Sequence, residues 1–365
     1  MTAVHRWLSE PMAKDVSLAL ERLARAPGVR RIAVMPDVHL AEHVCVGTVV
    51  ATDGVVYPQA VGGDIGCGMA TLRLDASRDV LTEERAEHLL GALRSHVPAV
   101  RRHKPQELAL PTMSDARLQQ RVLRDARIQL GTVGRGNHFV ELQVDEHERL
   151  WLAVHSGSRA LGPAIREHHM RRGLVGKHGF VGLTGRAAAE YLTDHEVAQN
   201  YARSNRRAIA SAALRAIDEA IGAAGDWSTW FDVTHNFARE EVHEEHCLTV
   251  HRKGACSAVI GERGIIPGSM GATTYHVEGR GFAAAMCSSS HGAGRRMPRG
   301  EAMRRITVRD LARDLKGIYY DHCQAHRLRD ESPAAYKDID KVMRAQNDLV
   351  RITGRLEPVL SYKST

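Results

Sequence analysis

The sequence predicts an α+β fold, with central β-sheets whose strand ends carry polar loops and with helices packed around them. Three observations predict it. Short apolar runs alternate with stretches of helical periodicity along the whole chain. Many of the short runs end in Gly/Ser/Asn loops that carry a histidine. No proline-rich or Gly/Ser linker and no repeat period divides the sequence. Loops scattered from residue 37 to residue 291 converge only if the chain folds as one unit, so residues 1–365 are expected to form one domain.

In chain order, residues 10–26 read as a helix with Val16, Leu20 and Leu23 on one side. "RRIAVMPDVHL" reads as a buried strand over 32–35 that runs into a polar loop, and "VGTVVAT" and "MATLRLD" as further strands. Residues 82–97 read as an amphipathic helix with Ala86, Leu89, Leu90, Leu93 and Val97 inward, and 115–130 as a basic surface helix. "HFVELQV" and "LWLAVHSGSR" are strands. Residues 186–222 form the longest helical stretch, with room for a bend. "WFDVTHNF", "CLTVHRKGA" and "FAAAMCSSSHGAGR" each read as a short apolar strand feeding a loop. Helices over 301–315 and 334–346 and a strand over 355–362 follow.

Composition sets the outer limits. A hydrophobic share of 43% supports a sizeable core. Fifty basic residues against 43 acidic give +7, which permits a polyanionic partner without demanding one. The six cysteines form no CxxC pair, so a reducing, cytoplasmic setting is expected. "MTAVHRWLSEPMAK" lacks the apolar core of a signal peptide, and no run is long and apolar enough to span a membrane, so no membrane partner is expected.

Histidine is abundant, with 21 residues. Strand-end loops carry His39, His138, His155, His235, His251 and His291. One such histidine is more often a hydrogen-bonded structural residue than a ligand, but loops on one rim of a sheet can share a cleft. "AVGGDIGCGMATLRL", residues 60–74, adds Asp64 and Cys67 among four glycines. Asp64, Cys67 and several histidines make a mixed O/S/N set that on softness alone suits zinc. The candidates exceed four, which points to two metals sharing a ligand, an arrangement suited to phosphoryl transfer. "HGAGR" pairs a candidate nucleophile with glycines able to face an anion, and Arg159, Lys253 and Arg295 are candidates for phosphate contacts. "VHEEHC", residues 242–247, is read as a solvated helix face, and "GTVGRGNHF" lacks the setting of a dinucleotide loop.

Taken together, "MPDVH", "VGGDIGCGM", "GRGNHFVEL", "HSGSR", "THNFA", "HRKGA", "IPGSMG", "SSSHGAGR" and "AYKDID" resemble the RtcB family of RNA ligases, in family order from about residue 31 to 363. The resemblance implies an RtcB-like catalytic domain that joins an RNA 3′-phosphate or 2′,3′-cyclic phosphate to a 5′-hydroxyl, using GTP and two manganese ions, in RNA repair or tRNA splicing. Zinc is left as a substitute or inhibitor. Asp64, Cys67 and His138 would hold one metal, and Cys67, His155 and His235 the other. His291 matches the histidine that is guanylylated. GTP would be contacted by Asn137, His138, Phe139, Val140 and Glu141, the last reading the guanine edge, and by His235 and Asn236. Pro267, Gly268, Ser269, Met270 and Thr274 match further contacts, as do Gly292, Ala293 and Gly294. Tyr336 would stack on guanine and Lys363 would reach the nucleotide. RNA is the implied partner, and an activating protein is a candidate second one.

The sequence departs from the family pattern at "LAEHVCVG" after "MPDVH", where glycines are usual. It departs again at Arg135, at "SMGATTY" and at Pro298. None is a proposed ligand, and they suggest a divergent, short paralogue with altered RNA choice. Two other readings compete: a metal-dependent cyclic phosphodiesterase or phosphohydrolase without ligation, and an inert RNA-binding protein. A hydrolase needs neither a guanylylated histidine nor a guanine reader.

Overall fold

The computed structural model describes residues 2–363. It is an α+β fold built on two main sheets. The smaller runs in the order Ala3–Arg6, Val29–His39, Val46–Thr52, His246–Lys253, Asn236–His243. The larger runs Arg263–Pro267, Thr274–Gly279, Val350–Tyr362, Phe139–Asp145, Arg149–Ser156, Gly68–Ser77, Gly225–Thr234, with the short Tyr319–Tyr320 beside Val350–Tyr362. The chain passes from the larger sheet to the smaller at a single residue, His235, which separates Gly225–Thr234 from Asn236–His243. That crossing is where the site forms.

The larger sheet buries one face under helices. Glu83–His96 is capped by Thr82, whose hydroxyl accepts from Arg85 N, and it carries Glu83 and Glu84 in its first turn, where the helix dipole favours acids. Leu89, Leu90 and Leu93 of this helix pack with Ile209, Ala213 and Ile217 of helix Gly185–Ile221 and with Leu142 and Leu152 of the sheet. The long helix is continuous over its 37 residues, ending at Gly222 with φ of 68°. Its buried face also carries Arg206, which donates to Asp232 Oδ2 at 2.7 Å and to the carbonyls of Gly66 and Ser156 at 2.7 and 2.8 Å. One buried cation therefore ties three segments together behind the site.

Several expectations need correction. "VHEEHC" is a β-hairpin: Glu244 and Glu245 have φ of 49° and 66°, and His243 pairs with His246 across the turn. Two successive left-handed residues match the twist of a two-residue hairpin. Glycine or asparagine usually marks such a turn, and here Arg31 holds Glu244 instead, at 2.9 Å. The helix expected over 301–315 is two, Arg299–Arg305 and Val308–Asp314, because Thr307 and Asp310 form a capping box that starts a new helix. The helix expected from 334 begins only at Ile339, capped by Asp338, after a short 3-10 turn Pro333–Ala335. The apolar "FAAAM" is a 3-10 turn, and the strand there is Ser288–Ser290. The strand through "MPDVH" continues to His39. The final strand starts earlier, at Val350.

Candidate active site

The loop between Pro58–Ala60 and Gly68–Ser77 places Asp64 and Cys67. Two glycines fix that placement. A Cβ on Gly68 would lie 2.1 Å from the Val233 carbonyl oxygen, and one on Gly157 would lie 2.1 Å from Asp64 Oδ1. Neither position tolerates a side chain, so the two strands and the Asp64 carboxyl can close up.

Cys67 Sγ then stands 3.4 Å from His138 Nε2 and 3.3 Å from His155 Nε2, and the three donor atoms lie within 4.8 Å of one another. The other ring nitrogens are already committed. His138 Nδ1 lies 3.0 Å from the Val133 carbonyl, and His155 Nδ1 lies 3.0 Å from that of Asn137. A carbonyl only accepts, so both Nδ1 atoms carry the proton and both Nε2 atoms present lone pairs to the thiol. His138 Nε2 also faces Asp64 Oδ2 at 2.9 Å. An imidazole lone pair and a carboxylate at that distance need a proton or a cation between them. The His235 ring continues the row, 5.2 Å from His155 and 4.8 Å from His291.

The electrostatics agree with that arrangement. Burial holds the His155 and His235 rings well below the usual histidine range, hence neutral. Burial, with Asp64 alongside, pushes the Cys67 thiol far up. Against the cost of burial, a proton between His138 Nε2 and the carboxylate, in the place a cation would take, holds the Asp64 carboxyl down at about 2. A divalent cation in this cluster would meet neutral imidazoles and a ready carboxylate, and would draw the proton off the thiol. The residues present therefore fit a metal, and the nearly equal reach of Cys67 to the two histidines suits a shared ligand.

His291 hangs at the end of Ser288–Ser290. Its Nδ1 lies 2.6 Å from Asp37 Oδ2, and its backbone N–H donates to the same oxygen at 3.2 Å. Asp37 is fully buried. It fixes the Nδ1–H tautomer and leaves Nε2 free. The sequence displayed Asp37 within "MPDVH" but gave it no role.

A cavity of about 340 Å³ joins this cluster to a second group of residues. Asp64, Cys67, His155, His235 and Lys253 line one end. Glu141 lines the other, with residues 267–270, Tyr336 and Lys363, and Asn137 and Phe139 stand between, against the His155 ring. Asn236, His291, Gly292, Ala293, Gly294 and Arg295 line it too. At the second end Glu331 is a hub. It binds Lys363 Nζ, accepts from Tyr336 Oη at 2.9 Å, and pairs with Arg299 and, at 3.6 Å, Arg295. Burial opposes its ionisation, but Lys363 and Arg299 hold its carboxyl below the usual range. Nothing near "RDESP" signals this, since the charged partners Arg299 and Lys363 come from 32 positions away on either side. Burial raises the Glu141 carboxyl to about 7 despite Gln143 and Lys363 nearby.

Some candidates are not brought to the cavity. His251 is buried within its strand, where it accepts from Tyr57 N at 3.0 Å, and is a structural histidine. Val140 points into the core under the helices. Thr274 is buried and accepts from Gln143 Nε2 at 2.9 Å. Arg159 sits behind the metal end beside Asp64, with Nε 3.3 Å from Thr132 Oγ1. Arg295 does line the cavity, but its guanidinium is taken up by Tyr336, 3.2 Å from its Oη, and by the Asp330 carbonyl at 2.8 Å. Lys253 reaches the cavity, and burial, with Arg166 nearby, lowers its amine to about 8.

No helix among the described residues is long and apolar enough to cross a membrane. The comparisons with known proteins agree with one another. A family model described as tRNA-splicing ligase RtcB matches residues 19–123 and 106–364. RNA-splicing ligase RtcB of Escherichia coli (strain K12) is 36% identical over 393 aligned residues, covering 97% of this chain and 95% of that protein. RNA-splicing ligase RtcB2 of Escherichia coli (strain ATCC 25922) is 32% identical over 372, covering 96% and 93%. The tRNA-splicing ligase RtcB of Archaeoglobus fulgidus is 28% identical over 445, covering 98% and 92%. With the family model matching residues 19–123 and 106–364 and relatives aligned nearly end to end, this chain belongs to the RtcB family.

Proposed function

We propose that the protein is an RNA ligase, one catalytic domain over its whole length, joining RNA 3′-phosphate or 2′,3′-cyclic phosphate ends to 5′-hydroxyl ends with GTP as co-substrate. The observation that carries this reading is the placement of His291: oriented by Asp37, with its ring 4.8 Å from the His235 end of a Cys/His/Asp cluster. Asp64, Cys67 and His138 would hold one metal ion, and Cys67, His155 and His235 a second, with manganese as the proposed metal. Bound there, the ions supply positive charge to phosphate oxygens as bonds form and break.

The chain's own residues do the rest. The free Nε2 of His291 attacks the α-phosphorus of GTP, a P–N bond forms and pyrophosphate leaves. Asp37 takes up the positive charge that grows on the ring through its contact with Nδ1. The RNA 3′-phosphate then attacks the His291-bound phosphorus, breaking the P–N bond and giving RNA-ppG. A cyclic phosphate is first opened by hydrolysis. Finally the 5′-hydroxyl attacks the 3′-phosphorus, losing its proton, and GMP leaves. Glu141 would read the guanine edge, Tyr336 would stack on the base, and Glu331 holds Tyr336 and Lys363 in place. Lys253, a cation with no carboxylate partner among the described residues, is the proposed contact to the RNA terminal phosphate, with Arg159 behind it.

Incubation with α-labelled GTP and manganese is expected to give an acid-labile adduct that His291→Ala abolishes. Joining is expected for 3′-phosphate with 5′-hydroxyl ends. Opening of cyclic phosphate without adduct or joining would favour the phosphodiesterase reading instead.

A further inference from the structure

Beside the catalytic cavity lies a larger groove of about 1150 Å³. The two are continuous in their walls: His39, Val46, Arg295 and Arg299 line both. One wall is helix Lys14–Ala24. It buries Val16, Leu20 and Leu23 against its own sheet and turns Asp15, Leu18, Ala19 and Arg22 to the groove, a face at helical spacing. Leu18 is 55% exposed there, and Leu40, at the start of the loop after His39, is 53% exposed. The opposite wall is Arg296, Met297 and Pro298. Two of the four departures from the family pattern, "LAE" after "MPDVH" and Pro298, thus line the same groove.

Its charges divide into used and unused. Arg295 and Arg299 are spent on Tyr336, Asp330 and Glu331, and Lys337 donates to the Pro36 and Val38 carbonyls. Arg22 and Arg296 have no carboxylate partner among the described residues. Arg22 contacts only the His43 carbonyl, at 3.4 Å, and the face of Phe180. Glu10, Asp15 and Glu42 lie on the same lining, so the groove is a mixed apolar and basic track rather than a uniformly positive surface.

We propose that this groove seats the nucleotides behind the 5′-hydroxyl end of the acceptor RNA strand, and that its unusual lining sets which acceptor the protein accepts. The inference rests on the ligase reading. The two strands pose different binding problems. A 3′-phosphate end carries its own charge to Lys253 and the proposed metal positions. A 5′-hydroxyl end is neutral and gives no such handle, so its affinity must come from phosphates and bases further along the strand. A groove that shares walls with the nucleophile's cavity, and that offers two arginines without carboxylate partners beside exposed apolar side chains, supplies both kinds of contact.

The test uses the full chain and a six-nucleotide RNA with a free 5′-hydroxyl and a dye blocking its 3′ end. Binding is followed by anisotropy over a range of salt, without GTP. Replacing both Arg22 and Arg296 by alanine is expected to weaken binding and to make the plot of log affinity against log salt shallower by about 1.4, at about 0.7 per lost phosphate contact on a single strand. Leu40→Asp, which leaves both arginines, is expected to weaken the same RNA. An RNA with a 3′-phosphate and a blocked 5′ end is expected to bind all variants as it binds the parent. In joining assays the KM for acceptor rises while adduct formation at His291 is unchanged. Equal acceptor binding by parent and variants, or equal losses for both RNAs, overturns the groove assignment. Absence of adduct and joining in the parent overturns the ligase reading, and the binding comparison still decides the groove.

Discussion

At the Cys67 end of the cavity, lone pairs face one another: two Nε2 atoms converge on a thiol, and a carboxylate stands 2.9 Å from one of them. At the Tyr336 end, charges close on one another: Glu331 meets Lys363, Arg299 and the Tyr336 hydroxyl. The first end is built around positive charge that the protein does not itself supply. The second is already neutralised and rigid, fit to hold a flat, largely neutral base. The difference teaches how to tell a metal cradle from a recognition pocket when both are buried and polar. A cradle leaves acceptors against acceptors, and a recognition pocket pairs its ions internally.

Cys67→Ala should break the first end most severely. Removing the atom that reaches both His138 and His155 should cost both proposed metal positions at once. Bound manganese, read by elemental analysis after dialysis, should fall from two per chain to less than one. Adduct formation should fall at least about a thousandfold, the upper scale for losing one preorganised electrostatic contact. Retention of two tightly bound ions would remove the shared-ligand assignment.

Asp37→Asn probes the junction between the ends. An amide can donate to Nδ1 and so stabilise the wrong tautomer, which in a comparable orienting carboxylate slows chemistry by about 10⁴. The rate of adduct formation should drop on that scale while bound manganese is unchanged. A parallel loss of metal would mean that Asp37 supports the cluster rather than the nucleophile.

Glu331→Gln should damage the second end alone. It leaves buried Lys363 without its counter-charge, while the exposed Arg299 keeps Asp330, and losing one partner of a buried pair costs about 3 kcal/mol. Denaturant titration should show that loss, and the KM for GTP should rise. Metal content should stay at the parent level.

Much of the cavity was legible because its chemistry is local. Asp64 and Cys67 share one short glycine-rich loop, His155 and His235 stand at strand ends beside Ser156-Gly157 and Asn236, and His138 follows Gly136-Asn137 at the start of its strand. What the sequence hid depends on long-range partners. His251 and His235 stand at strand ends of similar composition, yet His251 finds the Tyr57 amide and Val50 carbonyl and leaves the cavity. Glu331 becomes a hub only through Arg299 and Lys363, each 32 residues off. The hairpin at Glu244 and Glu245 was hidden because an ion pair to Arg31, not glycine, accompanies its left-handed turn. The break at Thr307 was local, and a capping box signals it once Thr307 and Asp310 are read together.

The smallest expected effect sharpens the comparison within the second end. Glu141 is its one acid that burial leaves without a strong ion pair, and its carboxyl is raised from 4.5 to about 7. Gln143, Lys363 and Ser361 are the groups that face it, and together they do not offset the burial. The folded chain therefore binds this proton more tightly than the unfolded chain. The stability this contributes is full below about pH 4.5 and is lost as pH rises through about 7, at a cost of roughly 3 kcal/mol at most. Glu141→Gln removes the titration, so the variant should be more stable than the parent at pH 8, and its stability should vary less between pH 5 and 7. Function should move the other way. Guanine offers N–H donors at the edge Glu141 is proposed to read, so only the carboxylate can accept from both. GTP affinity of the parent should rise between pH 6 and pH 8, and that rise should be absent in Glu141→Gln. Calorimetric titration of GTP at the two pH values measures both. A flat profile in the parent would place the guanine edge elsewhere and leave Glu141 as a buried, protonated partner of Gln143.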